Sequence, residues 1–116
     1  MDIKSLLSSS ILSKAYEYNS EYAWKPEDIS ELSLILKEKK IAVLGGEIWE
    51  KTAEGPMIGS DIYQWTARQK SNNEFWESYV DSTLREMSNF IENLPKEKSL
   101  DQNTYINIEM IDQNNK

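Results

Sequence analysis

The chain has no cysteine and no histidine among its 116 residues. The first absence removes disulfides, thiolate nucleophiles and cysteine-based zinc sites together, and it suits a reducing cytosol, where the protein is expected. The second removes the usual general base near neutral pH and the commonest metal ligand, and with it the serine hydrolase triad and every His-containing zinc site. Long apolar runs are missing too. None approaches the ~20 residues that cross a bilayer as a helix, so no membrane span is expected. Residues 1–12 carry an early lysine and several leucines, but Ser8-Ser9-Ser10 interrupts the apolar run and no A-x-A site follows. They are read as part of the domain rather than as a leader. Positive charge is scarce: 13 Lys and Arg against 20 Asp and Glu leave a net charge of -7. That balance disfavours a nucleic-acid partner, whose phosphates need lysine and arginine, and favours a basic protein partner through complementary fields.

What is present describes one soluble globular domain, residues 1–111, followed by a polar tail at 112–116 expected to be disordered. A hydrophobic fraction of 39%, four tryptophans and six tyrosines give its core bulky anchors. The most apolar run, Ile41-Ala42-Val43-Leu44-Gly45-Gly46-Glu47-Ile48-Trp49, organises the rest. Residues 41–44 read as a strand covered on both sides, and the glycine pair reads as a bulge. One extra residue there would flip the side-chain phase, so that Ile48 joins the face of Ile41 and Val43 while Glu47 and Trp49 share the opposite face.

The flanking segments have their own periodicities. Residues 2–18 show helical spacing at Ile3, Leu6, Leu7, Ile11, Leu12 and Ala15, with Asp2 as N-cap. Pro26 fits the start of a second helix, whose acidic beginning (Glu27, Asp28, Glu31) and basic end (Lys37, Lys39, Lys40) match the helix dipole. Gly55-Pro56 and Gly59 mark a turn between two strands, the second at 61–69 with Tyr63, Trp65 and Ala67 facing inward. Ser71 to Glu74 has capping-box spacing ahead of the longest helix, which keeps one apolar face to Leu94 and stops at Pro95. After a polar loop, residues 104–111 alternate: Ile106, Ile108 and Met110 on one side, Tyr105, Asn107 and Glu109 on the other. The expected fold is α+β, in the order helix, helix, strand, strand, helix, strand, with a three-stranded, mainly antiparallel sheet and helices packed on one face. Exposed sheet edges leave homodimerisation through edge pairing as an option.

Chemistry is thinly signalled. Glu47, Glu50, Glu54 and Asp61 surround the predicted hairpin, but their spacing specifies neither an acid–base pair nor a calcium loop, and the glycine pair lacks both phosphate-binding spacings. No catalysis, cofactor or metal is expected. Among the tryptophans, Trp49 is the favoured solvent-facing one because it follows the bulge, with a core position left open.

Taken together, Ala23-Trp24 before an acidic helix start, the Val43-Leu44-Gly45-Gly46-Glu47-Ile48 core, Tyr63 and Trp65 in a Tyr-x-Trp strand, and Phe75-Trp76-Glu77-Ser78-Tyr79 opening a long helix resemble the immunity protein 40 family. The resemblance runs from about residue 22 to residue 111. It implies an α+β, cytosolic, bacterial protein, encoded beside a polymorphic toxin, that binds and neutralises the cognate toxin domain without catalysis. It carries no established binding residues. Charge and position nominate a partner-binding patch of Glu47, Trp49, Glu50, Glu54 and Asp61, extended by Asn107 and Glu109: an aromatic anchor ringed by carboxylates that would meet a basic toxin. The alternative is a non-catalytic scaffold or regulatory protein-binding domain.

Overall fold

A computed structural model describes residues 3–58, 63–99 and 101–113. Two short helices, α1 (Ile3–Leu6) and α2 (Ser9–Leu12), lead into a hairpin of β1 (Tyr16–Tyr18) and β2 (Glu21–Trp24). A 3-10 turn at Pro26–Asp28 starts α3 (Ile29–Lys39). Then follow β3 (Ile41–Thr52), β4 (Gly55–Ile58), β5 (Gln64–Thr66), α4 (Trp76–Glu92), α5 (Lys96–Ser99) and β6 (Thr104–Asp112). The sheet is six-stranded, in the order β1-β2-β6-β3-β4, with β5 also paired to β3. All its pairings are antiparallel.

The α+β class and the helices on one face hold, but the expected three-stranded sheet and element order do not. The predicted N-terminal helix of residues 2–18 is two short helices, and its last three residues are the first strand of a hairpin. Its turn residues Asn19 and Ser20 both have positive φ (50° and 66°), the backbone that lets a two-residue connection match strand twist. Ile11 and Ala15 satisfied a helical spacing, yet the Tyr16-Glu17-Tyr18 alternation after them belongs to a strand. The predicted 52–60 turn also contains β4: the chain reverses at Ala53-Glu54, where Thr52 Oγ1 receives the Glu54 amide at 3.2 Å. Of the predicted 61–69 strand, β5 (Gln64–Thr66) pairs with β3, Gly46 opposite Trp65, residues 67–69 are not strand, and Asp61 and Ile62 lie outside the described residues. At the C-terminus Asp112, the first residue of the predicted tail, still pairs with Ile41, and residues 114–116 lie outside the described ones. Asp2, the predicted N-cap, does too.

β3 is the spine. It runs beside β6 from the Ile41–Asp112 pair to the Glu50–Thr104 pair, and the register shifts between Val43 and Gly45, so Leu44 is the extra residue of a bulge. The phase therefore resets as the sequence implied: Ile41, Val43 and Ile48 share one core cluster with the helices, and Trp49 belongs to a second cluster with Ala23 and Tyr105. The glycines are required by close approach. A Cβ at Gly45 would lie under 3.0 Å from the Trp65 carbonyl oxygen, and one at Gly46 would strike both the Asn107 carbonyl and the Trp65 ring.

The main core lies between sheet and helices. Trp24 is fully buried and its indole donates to the Ile11 carbonyl at 2.9 Å, which ties α2 to the sheet. Such an indole contributes on the order of 4 kcal/mol of transfer free energy before the cost of ordering it. Trp76 donates to the Lys40 carbonyl at 2.7 Å. That bond braces Lys40, which takes a left-handed conformation (φ 60°) to turn α3 into β3 without a loop. Trp65 stacks on Phe90 of α4, with centroids 4.5 Å apart. The helix itself begins at Trp76, five residues after Ser71, because Phe75 is extended. Residues 71–74 form a turn instead, in which the Ser71 amide donates to Glu74 Oε1 at 3.2 Å. Arg68 grips the same carboxylate with both terminal nitrogens and donates through Nε to Ser82 Oγ at 3.0 Å.

Two outcomes follow for stability. Gly46→Ala should lower stability by about 3 kcal/mol, at the upper end for inserting a methyl into packed structure, read as a lower denaturant midpoint. The Arg68 hydrogen bond, first, and the Ser71 amide hold the Glu74 carboxyl below its ordinary value of 4.5. A carboxyl depressed in the folded state stabilises fully above that ordinary value and loses its contribution as the pH falls through its folded value. Glu74→Gln should therefore destabilise measurably at pH 6 and much less at pH 3 in matched urea titrations.

Candidate functional site

The concave feature of the uncovered sheet face is a groove of about 490 Å³ above the glycine pair. Its floor is Leu44, Gly45 and Gly46 of β3 and the neighbouring residues of β6. One wall is the β1–β2 hairpin, through Ser20, Glu21 and Tyr22, and the other is β5, through Gln64, Trp65 and Thr66. The bulge lies at the floor: Leu44, its extra residue, and the two glycines that follow all line the groove.

Every charged side chain lining the groove is acidic: Glu21, Glu47 and Glu109. Asn107 and Glu47 pair across β6 and β3 and project to the same face. Asn107 donates one Nδ2 hydrogen to the Tyr22 carbonyl at 2.9 Å, which fixes the amide's orientation and leaves its carbonyl oxygen as an acceptor. Glu47 Oε1 receives the Trp49 indole N–H at 3.1 Å, so one carboxylate oxygen is anchored and the other remains for a partner. The groove thus presents oriented acceptors and suits a cationic, donor-rich group. No grouping of three or more His, Cys, Asp or Glu side chains placed to hold a metal occurs among the described residues.

Of the predicted patch, the structure brings together Glu47, Asn107 and Glu109. It gives Trp49 a different place. The indole is 3% exposed, not solvent-facing, because the unforeseen hairpin curls over it. Tyr16 of β1 meets Trp49 edge-on at 6.1 Å and Tyr105 at 5.2 Å. The hairpin reaches farther still, since Tyr18 stands where a Cβ on Gly55 of β4 would go. On a flat sheet β1 and β4 would be four strand spacings apart, roughly 19 Å, so the sheet bends strongly toward this face. Glu50 sits one residue beyond Trp49 on β3 and points to the other side by strand alternation. Glu54 lies in the β3–β4 turn, away from the groove lining. Asp61 lies outside the described residues.

Sequence reasoning missed Glu21 and Gln64. The signal for Glu21 was the tract Tyr18-Asn19-Ser20-Glu21, an asparagine-led two-residue break between alternating aromatics, which is a hairpin pattern. Among the described residues the most exposed large apolar side chains, Leu34 at 71% and Phe75 at 82%, lie elsewhere, while Tyr18 of the hairpin is 39% exposed. Among the described residues no helix is long and apolar enough to cross a membrane.

No curated protein and no solved structure matches the chain. A family model does: residues 11–110 match the one described as Immunity protein 40. The match begins at the residue whose carbonyl holds Trp24 and ends in β6, so it takes in the hairpin, the bulged strand and every wall of the groove. The chain belongs to the Immunity protein 40 family.

Proposed function

We propose that this protein binds a cognate polymorphic toxin domain and neutralises it by occupying a basic surface, with the groove above Gly45-Gly46 as the centre of contact. The observation that carries this reading is the groove's lining, which among the described residues holds three glutamates and no lysine or arginine, on a chain of net charge -7. Like charges gathered on one concave surface repel one another, and a partner's cations relieve that repulsion. The family's name supplies the class of partner.

In this reading Glu21, Glu47 and Glu109 receive lysine or arginine side chains, and the Asn107 carbonyl oxygen accepts a further hydrogen bond. Trp49 acts from beneath by orienting Glu47, so the anchor of the contact is charge rather than an exposed indole. A toxin that acts on a polyanion would carry the matching basic cleft, and the carboxylates would stand where phosphates bind. The mechanism is stoichiometric occlusion, and no bond is made or broken.

The test is titration of the purified chain against the toxin domain encoded beside it. The triple substitution Glu21→Gln/Glu47→Gln/Glu109→Gln should weaken binding about 100-fold, or ~2.7 kcal/mol, with the far-ultraviolet spectrum unchanged. Wild-type affinity should fall as salt rises, and the triple variant's should respond less. Full affinity in the triple variant would refute the groove as the site.

A further inference from the structure

The sheet face that no helix covers is divided by charge. At one end is the groove, with Glu21, Glu47 and Glu109. At the other, the Lys25 ammonium lies 5.9 Å from the Tyr105 ring centroid and the Lys51 ammonium 5.1 Å from that of Tyr16. Neither lysine enters an ion pair among the described residues. Lys51 follows Glu47 by two same-side steps along β3, roughly 13 Å on an extended strand. The aromatic cluster of Trp49, Tyr105, Ala23 and Tyr16 fills the space between the two ends.

A uniformly acidic face would accept a basic partner in several orientations, whereas a segregated one discriminates among them. The lysines are also held over rings that are themselves packed, so their charges have defined positions rather than sweeping freely through solvent. We infer that the partner crosses this face in one orientation, with a cationic segment in the groove and a carboxylate-bearing segment about 13 Å away over Lys25 and Lys51. The inference rests on the groove being the partner site. Its consequence is selectivity: a toxin surface that is basic throughout meets repulsion at the lysine end, and only one with a matching acidic segment docks fully.

The probe is the purified toxin domain encoded beside this chain, with association and dissociation rates measured at low and physiological salt. Lys25→Glu/Lys51→Glu should bind about tenfold more weakly than wild type, mainly through slower association, and Lys25→Gln/Lys51→Gln should fall between them. The two double variants lose the same ring contacts. Equal losses in both would mean that the lysines act through packing alone, and would overturn the inference; so would unchanged or tighter binding of the reversed pair. Failure of the wild-type chain to bind, or full affinity in the groove triple variant, would instead overturn the proposed function on which the inference stands. Groove-dependent binding that ignores the lysines would overturn the orientation alone.

Discussion

The bulge at Leu44 is the constraint on which the rest of this structure depends. β3 has to serve two clusters, supplying Ile41, Val43 and Ile48 to the helix side and Trp49 to the other. A strand with an unbroken period of two would carry Val43 and Trp49 on the same face. One extra residue resets the phase, and the following glycines let the Trp65 ring, the Trp65 carbonyl and the β6 backbone close in. Gly45, on the same face as Glu47 and Trp49, leaves a gap in the uncovered face, and both glycines line the groove. A packing requirement and a groove therefore come from one local irregularity.

Around that spine the tryptophans act as joints rather than as filler. Trp24 fastens the N-terminal helices to the sheet, Trp76 fixes the helix-to-strand switch at Lys40, and Trp65 bonds α4 to the bulge by stacking on Phe90. Trp49 is the support of the candidate site. Its indole holds one oxygen of Glu47, and the hairpin above it supplies both its cover and the Glu21 wall of the groove. Losing the hairpin would unroof the aromatic cluster and remove a carboxylate in one step, so in this fold the stability of the second cluster and the shape of the groove are the same question.

The resemblance first carried by Val43-Leu44-Gly45-Gly46-Glu47-Ile48 and the flanking aromatic tracts agrees with the family match over residues 11–110. Family membership names a kind of partner, and geometry selects the residues offered to it. Three of the residues nominated from sequence, Glu47, Asn107 and Glu109, line one groove, because strand alternation and the inferred phase flip put them on one face. Glu50 and Glu54 were nominated by proximity along the chain alone. Proximity along a strand is a poor guide to proximity in space, since adjacent residues face opposite sides.

Local periodicity and steric chemistry determined the two long helices, the inward faces of β3, β5 and β6, the helix start at Pro26 and the bulge, since each rests on interactions between near neighbours in the chain. Strand β1 was misread as the end of a helix because apolar spacing up to Ala15 is compatible with one, and the competing strand signal spans only three residues. The burial of Trp49 was beyond any local rule. It depends on Tyr16, thirty-three positions earlier, being carried over the sheet by a hairpin that pairs with the last strand of the chain. The groove belongs to the same class of fact: Glu21, Glu47 and Glu109 come from three strands distant in sequence, and only the antiparallel register that aligns them puts their charges on one surface.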